Sequence, residues 1–344
     1  MDCPRSGPWG GWAPLFILST LAALLSGMSP AFAGPQRETG VKYTAVFIPK
    51  FKAPWFDRME AGLEKAGAEI GINVTQKAPS SADLTAQVKL IEDATNQGAD
   101  AILVVPGTDP SIESAFGLAR TKKIAIITNQ SPQEGNADVD VEMIDTTLFG
   151  RMALEEMAKA MGSPVGQYAV FVGSFTTPDH NGWADAAISL ARQKFPDLKL
   201  VGERFPVSED PGLSRQTALD IIASYPGIKA FLVFGSQGGP GVAQAVREKD
   251  RVGSIAVIGT TGPTQAGPFL KDGSLSASIL WDPADAGYAM AYLARLVLDG
   301  KRSMIGPDLE IPGLGKPISF AENTLIYNRP IVLTRDNVDQ LSGF

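Results

Sequence analysis

The chain has 344 residues but only one cysteine, Cys3, and one histidine, His180. With no cysteine beyond its third residue, the exported body of the protein has no disulfide, and its stability must come from core burial. There is no H-x-x-x-H pair, no C-x-x-C and no D-x-D-x-D-G loop, so zinc and EF-hand calcium sites lack their usual ligand spacing. No G-x-S-x-G elbow is present, and the single histidine would have to serve any Ser-His-Asp site. An exported hydrolase is therefore a poor fit, and neither an enzyme nor a cofactor is expected. The formal net charge is −7 with no basic run, which argues against nucleic-acid binding. No later apolar stretch approaches the ~20 residues of a membrane span, and there is no coiled-coil or low-complexity segment.

The first 33 residues read as a cleavable secretory signal. Arg5 is the only basic residue of a short n-region. An apolar stretch over roughly 13–25 follows, too short to cross a bilayer at ~20 residues. It ends in Ala31-Phe32-Ala33, a small-x-small cleavage pattern. No cysteine follows it, so a lipid anchor is not expected, and the mature chain would begin at Gly34 in the periplasm. About 311 residues then remain, enough for two medium domains.

In that remainder, short β-branched runs alternate with helical stretches. Strands are expected at 43–49, 72–76, 101–105 and 124–128, with helices at 55–70, 83–96 and 112–120 between them. Ser81 or Asp83 is the expected N-cap of the second helix. Crossovers of this length enforce parallel pairing, with helices covering both faces of the sheet. The pattern restarts with a helix over 148–161 capped by Asp145. Strands follow at 168–172, 198–204, 230–234, 255–260 and 275–281, with helices at 182–195, 214–225, 241–249 and 284–298. Two such halves make two α/β domains. Asp138, Asp140 and Glu142 alternate along one segment and read as a solvated face of an extended stretch rather than a metal site.

Candidate binding residues gather at the carboxyl ends of the expected strands, where ligands bind in parallel α/β sheets. Trp55, Trp183 and Trp281, the tryptophans outside residues 1–33, all lie at or just beyond such ends. An indole beside polar groups suits a small molecule with one apolar face and several hydroxyls. Lys50 lies in the loop after the first strand and can donate to oxygens, while Trp55 or Phe56 covers a sugar's C–H face. Asn129 and Gln130 end the fourth strand with uncharged bidentate groups. Asp179, His180 and Asn181 follow the strand at 168–172, and a carboxylate there can accept from two hydroxyls. One of the three could instead cap the following helix. The run Gly235-Ser236-Gln237-Gly238-Gly239-Pro240-Gly241-Val242 lacks the Gly-Lys-Ser/Thr of a P-loop. It is expected to offer close backbone approach to a small ligand. Trp281 and Asp282 end the last strand, and Trp281→Ala is expected to weaken binding more than folding. Together these strand ends describe a carbohydrate-type pocket.

The order Phe47-Ile48-Pro49-Lys50, Asp179-His180-Asn181-Gly182-Trp183, Pro240 with Ala243-Gln244-Ala245, and Leu280-Trp281-Asp282 resembles the periplasmic sugar-binding proteins of ABC importers. Within that ribose-binding-like family it is most similar to the autoinducer-2-binding and rhamnose-binding branch. The resemblance implies a type I periplasmic binding protein: two Rossmann-like α/β lobes with parallel sheets, joined by a three-crossover hinge. It places an N-lobe at 40–129 plus 284–310 and a C-lobe at 130–283 plus 311–344. It implies a monomer that closes on a sugar or sugar-like polyol and delivers it to an inner-membrane permease, with a chemoreceptor or sensor kinase as a further partner left open. An autoinducer-2-like furanose is the alternative ligand. Carried over position by position, ligand contacts fall at Lys50, near Phe56, near Gln130, and at Asp179, His180, Pro240 and Val242. That branch has an acidic residue near Gln130, glutamine at His180, alanine at Val242 and Asp-x-Asn at Gly235-Ser236-Gln237. These departures imply a different hydroxyl pattern in the ligand. The effector domain of a LacI-type repressor shares the fold, but the export signal and the missing helix-turn-helix argue against it.

Overall fold

The computed structural model describes residues 40–107, 110–132 and 134–341; the expected signal segment lies outside them. The first half runs β1 (Tyr43–Ile48), α1 (Pro54–Ile70), β2 (Ile72–Gln76), α2 (Leu84–Gln97), β3 (Ala101–Val104), α3 (Pro110–Thr121), β4 (Ala125–Asn129) and β5 (Val139–Glu142). The second half runs α4 (Thr146–Met161), β6 (Gly166–Val172), α5 (Pro178–Lys194), β7 (Leu198–Leu200), β8 (Phe205–Pro206) and α6 (Pro211–Ser224). It continues with β9 (Ile228–Val233), α7 (Gly238–Glu248), β10 (Ala256–Gly259), α8 (Pro263–Asp272) and β11 (Ala277–Leu280). The tail holds α9 (Pro283–Leu298), β12 (Ser319–Ala321), β13 (Thr324–Ile326) and β14 (Ile331–Leu333).

Two sheets result. The first has the order β12-β13-β5-β4-β3-β1-β2 and the second β14-β11-β10-β9-β6-β7, with β8 alongside β6. Pairing is parallel except at one edge of each sheet, where β12 meets β13 and β14 meets β11 antiparallel. Every residue of β3, β4, β10 and β11 is buried, as helices on both faces require. Asp83 caps α2 by accepting from Ala86 N–H at 3.0 Å, and Asp145 caps α4 by accepting from Leu148 N–H at 2.8 Å.

The chain changes sheet three times: between β5 and β6, between β11 and α9, and between β13 and β14. Helix α9 returns to the first sheet and packs against α1. The two helices approach so closely that a Cβ on Gly62 would strike the backbone of Ala284, and one on Gly287 the backbone of Met59. Only glycine permits that spacing.

The lobe boundaries differ from expectation. The first sheet does not end at residue 129: β5 pairs with β4, as in Ile127 with Val139 and Asn129 with Val141. Residues 319–326, expected in the C-lobe, also join the first sheet, β13 lying beside β5. The cause is the character of β5. Its alternating acids suggested solvent, yet Asp138, Asp140 and Glu142 are all buried. Asp138 is held by Arg302, and Asp140 accepts from Thr128 Oγ1 at 2.8 Å. Polar partners on β4 and in the segment after α9 let these acids enter the sheet.

Candidate functional site

A cleft lies where the carboxyl ends of the two sheets face each other. One wall carries Lys50, Phe51, Trp55, Phe56 and Gln130. The other carries His180, Trp183, Glu209, Gly235, Ser236 and Thr260. The space is narrow, and Lys50 Nζ of one wall lies 3.5 Å from Glu209 Oε1 of the other.

Each side chain is placed by local structure. Pro54 at the start of α1 fixes the turn that brings Trp55 and Phe56 into the first helical turn. Phe51 meets the Phe56 ring edge-on at 5.6 Å. Gln130 follows β4 with φ +63°, a left-handed conformation uncommon outside glycine, and so turns back toward the cleft. Helix α5 begins at Pro178, earlier than expected, because proline at the first position is pre-organised for a helix. Asp179, His180 and Asn181 therefore sit in its first turn. The N-cap is Thr177, not Asp179 or Asn181, and its side chain makes no capping bond. Helix α7 likewise starts at Gly238, so the glycine run forms a helical turn rather than a free loop.

His180 has a defined role. Gly173 N–H donates to its Nδ1 at 3.0 Å. Burial, and then the charge of Lys50, hold its pKa well below the usual value. The neutral ring, accepting at Nδ1, must carry its proton on Nε2, so it is a donor. Asp179 is almost fully buried, and burial with the neighbouring Asp140 pushes its carboxyl up to about 7. Its Oδ2 has no hydrogen-bond partner among the described residues.

Of the expected site residues, Lys50, Trp55, Phe56, Gln130, His180 and Trp183 line the cleft, with Asp179 buried beside His180. The others do not line it. Trp281 is fully buried beneath the cleft, its ring 5.4 Å from Trp55, 5.7 Å from Trp183 and 5.6 Å from Phe149. Asp282 faces elsewhere: it caps α9 through Ala284 N–H and forms an ion pair with Arg58 at 2.6 Å. Val242 is buried in the core cluster. Pro240 sits in the first turn of α7, outside the lining. Asn129 donates to Val141 O at 2.5 Å, tying β4 to β5. The mismatch arises because strand-end position is read along the chain, whereas cleft lining depends on which way each side chain leaves its turn. Glu209, Thr260 and Phe51 were not anticipated. The available signal for Glu209 was the polar run Ser208-Glu209-Asp210 between a strand and a proline-started helix.

Among the described residues, no group of three or more His, Cys, Asp or Glu is arranged to hold a metal ion. No helix among them is long and apolar enough to cross a membrane.

Two α/β lobes, three crossovers and a cleft between the carboxyl ends define a hinged ligand-binding protein of the type I periplasmic class. Residues 44–302 match the family described as periplasmic binding protein domain, and the chain belongs to that family. The chain is 25% identical over 268 residues to the D-allose-binding periplasmic protein of Escherichia coli, spanning 75% of this chain and 84% of that protein. LsrB from Clostridium saccharobutylicum, solved with AI-2, superposes with a TM-score of 0.80 at 21% identity, over 86% of this chain and 99% of LsrB. An ABC transporter solute-binding protein from Clostridium phytofermentas, with bound L-rhamnose, gives 0.81 at 21% identity, over 88% and 99%.

Proposed function

We propose that the protein is an exported receptor that captures a sugar or sugar-like polyol between its lobes, without chemistry, and hands the closed complex to an ABC permease. One observation carries this reading: each wall contributes both a flat ring and a polar group, and Lys50 and Glu209 meet across the gap at 3.5 Å. Aromatic faces cover the C–H side of a pyranose or furanose, while Lys50, Gln130 and the His180 Nε2–H donate to its oxygens. Glu209, Ser236 and Thr260 can accept from hydroxyls. Only the closed arrangement presents both walls to one ligand, so binding shifts the population toward closure. One relative is named for D-allose binding in the periplasm and another for ribose import, which supports a periplasmic protein serving a transporter.

An autoinducer-2-like furanose, with a chemoreceptor or sensor kinase as partner, is a second reading supported by the likeness to LsrB. Against it stand Gln130 and His180, where the corresponding branch carries other groups. The test is a screen of pentoses, hexoses, deoxysugars, polyols and autoinducer-2 by tryptophan fluorescence and thermal shift. A cognate sugar raises the melting temperature and changes the emission of Trp55 and Trp183. A folded protein that responds to none of these classes would sink the receptor reading.

A further inference from the structure

The cleft does not account for the buried carboxylates at the first crossover. Glu142 is the last residue of β5, where the chain leaves the first sheet, and Asp179 lies in the first turn of α5 on the second. Both are buried, and the Glu142 carboxyl is within hydrogen-bonding reach of both Asp179 and Asp140. Two ionised carboxylates in contact away from water are strongly unfavourable, so one must hold a proton.

The surroundings identify which one. Asp140 accepts from Thr128 Oγ1 at 2.8 Å and Ser131 N–H at 3.3 Å. Asp179 feels the positive charge of Lys50. Glu142 has neither aid: Asp140 and Asp179 face it, and among the described residues it forms no ion pair and its Oε1 has no partner. The other charged groups are one step removed. Glu134 lies near Asp140, Glu209 is paired with Lys50, and His180 is neutral. Tyr327 meets Glu142 through its backbone, donating N–H to Glu142 O at 2.7 Å. Glu142 is therefore the donor of the cluster. Its pKa stands well above the usual carboxylate range because of burial first, and then Asp179 and Asp140.

We propose that Glu142 is a positioning residue of the ligand site: its protonated carboxyl donates to Asp179 across the first crossover and leaves Asp179 Oδ2 to accept from the ligand. This rests on the receptor function proposed above. The proton comes from solvent as the lobes close, and opening the cleft rehydrates both acids and releases it. Because closure raises the Glu142 pKa, its contribution is complete on the acid side and is lost as pH rises through that raised range. Glu142 is not among the positions that the family resemblance assigns to the ligand.

The test titrates the sugar found in the screen into the wild type, Glu142→Ala and Glu142→Gln between pH 5 and 9, with melting curves to confirm folding. Past the raised range, one linked proton makes wild-type affinity fall about tenfold per pH unit. Glu142→Ala should lose affinity at every pH. Glu142→Gln keeps a donor, so it should restore affinity and flatten the pH profile. Calorimetry in buffers of different ionisation enthalpy should show about one fewer proton taken up by Glu142→Gln than by the wild type. Equal pH profiles in the wild type and Glu142→Gln would overturn the proposal while leaving the receptor function intact. Infrared spectroscopy of the sugar complexes reads the proton directly: the wild-type complex at neutral pH should carry the carbonyl stretch of a protonated buried carboxyl that the Glu142→Gln complex loses. An equal band in both complexes would remove Glu142 as the proton holder. If no sugar binds, the receptor reading falls and the proton uptake on closure falls with it.

Discussion

The two walls of the cleft are built on different plans. The wall of the first sheet takes most of its groups from one short stretch, Lys50 to Phe56, and is cationic and aromatic. The wall of the second sheet collects His180, Glu209, Ser236 and Thr260 from four separate strand ends, and is acidic and hydroxylated. In the receptor proposed above, the first would act as a general lid for a sugar: a ring face with one strong donor. The second, with many polar groups at fixed angles, would be where one hydroxyl pattern is told from another. Opposite charges meet at Lys50 and Glu209, 3.5 Å apart, an attraction between the walls that needs no ligand to bridge them.

The sharpest way to break this contrast is to remove what the walls share. Trp281 packs under both, against Trp55 and Trp183, and is fully buried. Trp281→Ala should cost about 3–5 kcal/mol of folding stability in chemical denaturation. An unchanged unfolding midpoint would show that the walls rest on something else. Lys50→Ala strips the first wall of its cation and leaves Glu209 without its partner. Sugar affinity should fall by about 2–3 kcal/mol, roughly 30- to 150-fold, in titration calorimetry, with little change in melting temperature.

His180→Gln tests the second wall. Glutamine removes the single-tautomer donor and offers a freely flipping amide. It should shift the ranking of sugars in the screen, by about 1 kcal/mol between neighbours, rather than abolish binding. An unchanged ranking would move specificity away from this wall. The smallest effect belongs to Arg58→Ala, which breaks a partly exposed pair with Asp282 outside the cleft. It should cost about 0–1 kcal/mol in stability and leave affinity unchanged. A large loss of affinity there would return Asp282 to the site.

Much of this was legible in the chain. The α/β alternation, the Asp83 and Asp145 caps, and the cluster of Lys50, Trp55 and Phe56 follow from short-range pattern, and proline-started helices positioned their neighbours. What failed was orientation. Trp281 and Asp282 are adjacent, yet one roofs the core and the other leaves to meet Arg58. Strand β5 failed for another reason. Its alternating acids are what a solvated strand shows, and only partners from distant segments, such as Thr128, Arg302 and Thr324, make their burial tolerable.

By itself the sequence determined that the protein builds two lobes of parallel strands and helices, without disulfides, and places ring-bearing and polar residues at strand ends. That follows because periodicity, caps and crossover length are local properties. The tertiary structure alone decided which of those residues share a cleft, that Lys50 faces Glu209, and that Glu142 meets Asp179. Those contacts join segments far apart in the chain. Their protonation and orientation depend on burial, which no local pattern encodes.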